Sequence, residues 1–539
     1  MSVPTLSKSI LTDRNTIYGE QDIMELFISP EEVPLLNAGQ GTYLKFLLEM
    51  DSEKTNCLAQ PDPMSGGMAT IQTIQIYSGA GQLLEQLEDV NTWTAMYMHY
   101  TKTQGLTNMR TLMEGVSPVE GRALTSQYFK HNPVNGTTFT PVECVIPLYM
   151  SGLLGQGQKL LPVVAFGGLR IRIQFARSEV AIRALTQVGY SSSSTTYLGI
   201  RQVRALPVAG SKLAQTFANA TAIGAATAIT FIDLNTSALG SGAGDTVPAT
   251  ATNTIQANVN FDNVAWQVGQ DLWVEDNSGV PLNLGSITNV TVAGNRCRYT
   301  FASITTAGPI AAGNKIWVNA TTLEAKCKVS NVELICSVVQ ASGETINGVM
   351  KQVASGGGIR LDFPSYNLYR QNLQAGIPRT ELLIPCTERR ACSIVAEPLR
   401  SISRLYEDTL RPVGDAMKSY IWNIANRLTP NRRVDTSRVA GEDSFQNLKW
   451  NSIHLHETEK AIKRLEVRPR NLAENARLFC VGRELAKEGH SFDANTNEIR
   501  LNVEYGSSTT ENVINKLTDV WLYHIRTAII TPNSVAIEF

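Results

Sequence analysis

Leu161–Phe175 reads LPVVAFGGLRIRIQF. A Leu-Pro step opens the stretch and a Gly167-Gly168 pair crosses it; Leu169, Ile171, Ile173 and Phe175 then alternate with Arg170, Arg172 and Gln174. Successive side chains of a strand point to opposite faces, so the alternation specifies a strand with one face in a core and one face polar. A polar face carrying two arginines points to a packed partner. Arg170 and Arg172 are therefore candidate contacts to a neighbouring lobe or subunit.

The same pattern extends outward in both directions. TYLKFLLE (42–49), ATIQTIQIY (69–77) and VECVIPLY (142–149) precede the stretch; VELICSVV (332–339), GIRLDF (358–363), ELLI (381–384), MKSYIWNI (417–424), IRLNVEY (499–505) and VWLYHIRTAII (520–530) follow it, with VAIEF at the end. The predicted class is all-β, with helix only in short pieces such as Asn91–Tyr100 and Glu457–Leu465. A Pro430-Asn431 turn is expected after the strand at 417–424. Stretches of 20 to 60 residues between the early strands suggest sandwiches with enlarged loops.

At 539 residues the chain is too long for one core, and about 150 residues per domain suggests three or four units. Hydrophobic residues make up 43%, enough for packed cores, and charged residues only 18%. Segment 207–326 is poorer still, with 12 charged residues in 120, and strand-like runs there are bounded by Gly, Asn or Asp. We read it as an exposed β-rich insertion. Four of the five N-x-S/T sequons (Asn219, Asn235, Asn289, Asn319; the fifth is Asn135) fall in it and report an Asn/Thr-rich surface. The net charge of −1 provides no field to draw the chain to nucleic acid, so sequence-specific nucleic-acid binding is not expected. No signal peptide and no transmembrane segment are expected from the apolar runs.

Catalytic vocabulary is sparse. Gly152-LLGQ-Gly157-Gln-Lys159 lacks the Gly-Lys-Ser/Thr order of a phosphate loop and reads as a turn. His454-Leu-His456 would put two imidazoles on one strand face with no third ligand nearby, so it reads as an exposed pair. Eight cysteines without CxxC spacing read as buried free thiols. No catalytic residue, metal site or cofactor is expected, and an enzyme is the weak hypothesis. Arg427, Arg432, Arg433 and Arg438 form the clearest charge cluster. They could face nucleic acid or anionic lipid, but no aromatic residues are interleaved for base stacking, which favours inter-subunit ion pairs with carboxylates such as Glu407, Asp408, Glu442 and Asp443.

Several segments together resemble a known family. SGLLGQGQKLLPVVAFGGLRIRIQF, ATIQTIQIYSGAGQLLEQLEDVN, VSNVELICSVV, MKSYIWNIANRLTPNRRV and the closing FCVGRELAKEG…VAIEF are similar, in this order, to the double jelly-roll major capsid proteins of eukaryotic double-stranded DNA viruses, nearest in flavour to polinton-like viruses and virophages. The resemblance covers most of 20–205 and 328–539. It implies a double jelly roll, two eight-stranded sandwiches side by side, with homotrimers forming pseudo-hexagonal capsomers of an icosahedral shell. Implied partners are neighbouring capsomers, penton and minor capsid proteins; the implied location is the virion, assembled inside the host cell. The expected divisions are an N-terminal arm (1–20), the first jelly roll (21–206), a tower insertion (207–327), completion of the first jelly roll (328–375) and the second (376–539). The rival reading is a β-sandwich carbohydrate-binding or adhesive protein.

Overall fold

The computed structural model describes residues 5–11, 16–39, 42–52, 57–61, 65–94, 113–115, 141–148, 150–155, 160–186, 215–216, 231–234, 254–258, 271–275, 281–293, 296–301, 315–318, 325–355, 358–374, 377–399, 417–436, 452–463, 480–487, 490–505, 516–532 and 534–538. Sixteen of its strands build two sandwiches. The first holds β1 (Thr5–Leu11), β2 (Ile23–Ile28), β3 (Tyr43–Ser52), β4 (Ile71–Ser78), β5 (Leu83–Leu87), β6 (Val142–Pro147), β7 (Leu169–Phe175) and β8 (Ala325–Val339). The second holds β9 (Ile359–Leu373), β10 (Arg379–Ile384), β11 (Ala391–Leu399), β12 (Met417–Ile424), β13 (Arg427–Asp435), β14 (Val481–Glu484), β15 (Ile499–Tyr505) and β16 (Lys516–Ile530).

In the first sandwich one sheet runs β1-β8-β3-β6 and the other β2-β7-β4-β5. In the second the orders are β9-β16-β11-β14 and β10-β15-β12-β13, the same paths advanced by eight strands. All these pairings are antiparallel. Each sandwich is a jelly roll. Two sequences with no visible repeat fold to one topology because the topology needs only alternation and turns, which many sequences satisfy.

The opening strand becomes β7. Leu169, Ile171, Ile173 and Phe175 are buried, joining Leu44, Phe46 and Leu48 of β3 and Ile74 and Ile76 of β4 in one apolar cluster. Trp422, Tyr420, Leu501, Val503, Val520 and Leu522 belong to the second core. Removing each such side chain from water contributes about 1.5–3 kcal/mol, offset by the entropy of ordering it.

The segment expected to be an arm contains β1. Its residues pair in register from Thr5↔Val339 to Leu11↔Glu333, and Ile10 is buried, so an unpatterned stretch is recruited as the sheet's edge. The second sandwich begins earlier than expected, because Ile359–Leu373 pairs along its whole length with Lys516–Ile530. Helix α1 (Gly343–Ala354) separates it from β8, capped by Ser342, whose hydroxyl accepts from the Thr345 amide at 3.3 Å. The β12–β13 turn falls at Ala425-Asn426, both with positive φ, so Pro430-Asn431 lies inside β13. Helical conformation spans residues 90–94, starting one residue ahead of the expected Asn91 cap. A second helix, α2 (Ser452–Lys463), starts earlier than expected and covers the expected piece up to Lys463, with 464–465 outside the described residues; it carries His454 and His456, which were expected on a strand.

Between β7 and β8 the described pieces of the insertion form a separate seven-stranded sheet, with Pro281–Ala293 at its centre. In an alternating antiparallel jelly roll, the links after odd-numbered strands all leave one end. Those after β3, β5 and β7 span 53–70, 88–141 and 176–324, whereas β4–β5 needs only 79–82. The two longest connections of the first sandwich, 88–141 and 176–324, therefore leave from the same end, and the shorter 148–168 leaves from the other.

Candidate functional site: the seam between the sandwiches

Strand β5 ends in Leu84-Glu85-Gln86-Leu87. A bulge sets Glu85 opposite Ile76 and Leu87 opposite Ile74, so the carboxyl stands on the core-facing side of this edge strand, and Leu84 and Glu85 are both fully buried. The second sandwich abuts this edge. Tyr366 of β9 and Trp521 of β16 stand against Trp93, with ring centroids 5.1 and 5.2 Å apart. Aromatic pairs of this geometry contribute about 0.5–1.5 kcal/mol beyond the area they bury.

The Glu85 carboxylate is held by the segment that superficially looks like a phosphate loop. Ser151 donates its hydroxyl to it at 2.5 Å, and the amides of Gly152 and Leu153 donate at 2.9 and 3.3 Å. The turn does cradle an anion, but the anion is a side chain of the same molecule. Burial pushes the Glu85 carboxyl above the usual carboxylate range, against the pull of these donors and of Arg526. Gly152 is required here, because a Cβ on it would lie 1.5 Å from the Pro364 carbonyl oxygen of β9.

Arg526 of β16 reaches across the seam. It donates to the Leu84 carbonyl at 3.4 Å, to Asn367 Oδ1 at 2.8 Å and to His524 Nε2 at 3.0 Å. With Nε2 accepting, the His524 proton sits on Nδ1, 3.3 Å from the Leu522 carbonyl. Burial, reinforced by Arg526, lowers the His524 pKa to about 3. Asn367 also bonds Glu388, which takes the Tyr369 hydroxyl at 2.6 Å and the Thr387 amide at 2.9 Å. Near the insertion-bearing end, Arg370 pairs with Asp89 of the first sandwich and with Asp519 at 3.2 Å. Helix α2 covers a further part of the same sheet. Its Ala461 approaches Gly482 of β14 closely, and His454, buried among apolar groups with its pKa lowered to about 3, meets the Tyr420 hydroxyl at 3.3 Å. The chemistry of the seam is cohesion: every charge named in it faces an opposite charge or a fixed donor.

Arg170 and Arg172 are elsewhere. They lie on the outer face of β7, where Arg170 is exposed and Arg172 pairs with Glu25 of adjacent β2 at 3.8 Å. Such a surface pair is worth about 0–1 kcal/mol. Among the described residues neither forms an ion pair with the second sandwich. Arg427, Arg432 and Arg433 lie exposed on β13, an edge strand, with Arg433 3.5 Å from Glu504 and 3.0 Å from the Ser419 hydroxyl. Arg438 and the four carboxylates suggested for it lie outside the described residues. His456 is exposed and His454 buried, so the two do not form a pair. Cys144, Cys327, Cys336, Cys386, Cys392 and Cys480 are buried and free, with burial raising Cys327 and Cys336 to about 12. Among the described residues no group of three or more His, Cys, Asp or Glu is placed to hold a metal, and no helix is long and apolar enough to cross a membrane.

No family model matches the chain, and no curated protein is similar to it. Solved structures are. VP54 of PBCV-1, fitted into a reconstruction of the virophage Sputnik, is 9% identical with a TM-score of 0.47, over 100% of this chain and 98% of that one. The Faustovirus major capsid protein is 8% identical with a TM-score of 0.46 (98% and 91% covered), and the mavirus major capsid protein 8% identical with 0.36 (100% and 91%).

Proposed function

We propose that this chain is the major capsid protein of a double-stranded DNA virus, assembling as a homotrimer whose six sandwiches form a pseudo-hexagonal tile. The observation that carries the reading is the repeated jelly roll welded by a buried seam. A chain built this way presents two topologically equivalent lobes as one rigid unit, and three such chains supply six. The closed sandwiches hide most strand edges, as a protein concentrated in a shell requires. A net charge of −1 lets copies pack without accumulating repulsion. Because the two longest connections of the first sandwich leave the same end, the tile has a decorated end, where the 207–324 insertion stands as a tower. Neighbouring capsomers, penton and minor capsid proteins are the partners of such a tile, and its work is mechanical instead of catalytic.

Light scattering on the size-exclusion peak tests the proposal. A trimer of about three times 58.9 kDa with a six-lobed outline in negative stain supports it. A monomer at every concentration tried overturns it.

A further inference from the structure

The two sandwiches are equivalent in topology and unequal in covering. In sheet β9-β16-β11-β14, the outward cross-strand rows are Tyr366–Tyr523–Ser393 and Leu368–Trp521–Val395–Gly482. Six of these seven residues are buried, because β5, Trp93 and α2 lie over them. The equivalent rows of sheet β1-β8-β3-β6 are Ser9–Ile335–Tyr43–Pro147 and Leu11–Glu333–Lys45–Val145. None of these eight is buried. Leu11 is 41% exposed, Glu143 on the opposite edge strand β6 has 54% of its side chain exposed, and Ile335, Tyr43, Leu47, Val145 and Pro147 are partly exposed. A sheet with aliphatic and aromatic side chains on both faces is built to be covered on both.

What covers the equivalent face within one chain identifies the missing cover. There the cover is β5, the edge strand of the first sandwich's other sheet, with the residues that follow it. The counterpart of β5 is β13, the edge of sheet β10-β15-β12-β13. Among the described residues β13 touches helix α2 but lies over no sheet in this way: Leu428 is 53% exposed, and Arg427, Arg432 and Arg433 project beside it. The open face carries Glu333, Glu143 and Lys45, with Glu143 paired to Lys45 at 3.1 Å, so its net charge is negative and opposite to that of the β13 edge.

We infer that the outer face of β1-β8-β3-β6 is a docking surface for a second copy of this chain, which seats its β13 edge there. The contact repeats between subunits the arrangement that the seam makes within one. It is heterologous, with the face on one copy and the edge on the next, and a rotation of a third of a turn per copy closes it into the ring of three that the capsid reading requires. The inference rests on the capsid reading for the expectation that copies associate at all. It assigns the basic residues of β13 to a protein partner and not to nucleic acid or lipid.

Val145→Asp on the face and Leu428→Asp on the edge test it separately. Both side chains point away from the cores, and unchanged circular dichroism shows that each variant folds; Glu143→Arg and Arg432→Glu stand in for either one that does not. Each variant alone should run as a monomer at a concentration where the native chain is trimeric. Mixed one to one, they should form a dimer and stop, because the Leu428→Asp copy still offers an intact face and the Val145→Asp copy an intact edge. Trimers as abundant as the native chain's from either folded variant overturn the inference and leave the capsid reading standing. Failure of the mixture to give any dimer also overturns it. A native chain that never associates removes the capsid reading itself.

Discussion

Replacing Arg526 by Met keeps most of the stem volume and deletes the guanidinium at the centre of the seam. Three acceptors lose a donor: the Leu84 carbonyl, Asn367 Oδ1 and His524 Nε2. Glu85, fully buried, also loses the nearby positive charge. An acceptor left buried and unpaired costs about 1–3 kcal/mol, and removing one partner of a buried charged group costs about 3–5 kcal/mol in all. His524 can turn or retautomerise and Asn367 keeps Glu388, so the expected loss is at the middle of that range, about 4 kcal/mol. That is a factor of roughly a thousand in the equilibrium holding the seam closed, at about 1.4 kcal/mol per tenfold. Urea unfolding followed by tryptophan fluorescence is suited to this, since Trp93 and Trp521 meet in the seam. The native chain should unfold its two sandwiches in one transition; the Met variant should lower the midpoint and split it in two. Glu85→Gln added to Arg526→Met should cost less than the sum of the two single changes, by at least about 1 kcal/mol, if the charges act on each other. A single unshifted transition in Arg526→Met would refute the account of the seam as an electrostatic weld.

Gly152→Ala should abolish the folded chain or cost more than about 3 kcal/mol, since its Cβ overlaps the Pro364 carbonyl, whereas Gly348→Ala in α1 meets open space and should stabilise by up to about 1 kcal/mol; thermal midpoints compare them. Acid should destabilise the protein through its buried imidazoles. The folded pKa values of His454 and His524, about 3, lie below the unfolded 6.5, so stability is complete above pH 6.5 and is lost as pH falls towards 3. At pH 4.5 two units of linkage cost up to about 2.7 kcal/mol for each histidine, with the raised Glu85 working in the opposite sense. The melting temperature between pH 7 and 4.5 should therefore fall less steeply in His454→Gln, and an equal slope would count against its burial as a neutral imidazole. Replacing 207–324 by a short Gly/Ser linker should leave the association state unchanged by light scattering, because β8 begins at Ala325 and both sandwiches are complete without the insertion. Loss of the native oligomer would place the insertion in the assembly contacts.

Much of the fold was legible in the chain. Leu169–Phe175 and Ile499–Tyr505 alternate strictly, and their burial follows the letters one by one, because a strand with one wet face encodes its own orientation. Thr5–Leu11 was not legible, since an edge strand is recruited by the sheet beside it and needs little pattern of its own. His454 and His456 misled for a similar reason: HLH fits a strand face, but on α2 the two positions point apart, one inward and one to solvent.

The seam was hidden altogether. Arg170 and Arg172 stand out because arginines on an amphipathic strand are conspicuous, and they lie on the outer face of β7, where Arg172 pairs with Glu25 of the same sheet. Asn367 and Arg526 lie opposite Leu522 and Phe363, and Glu85 opposite Ile76, so these polar groups stand on the core sides of their sheets and meet only where the two sandwiches join. The sequence by itself determined which side of each strand is apolar, and hence that the protein is built of sandwiches, because alternation is a local property read within a few residues. Only the tertiary structure decided which polar faces are wet. That depends on what lies across the sheet: Leu84 and Arg526 meet at 442 residues' separation, and no local pattern carries so distant a partner.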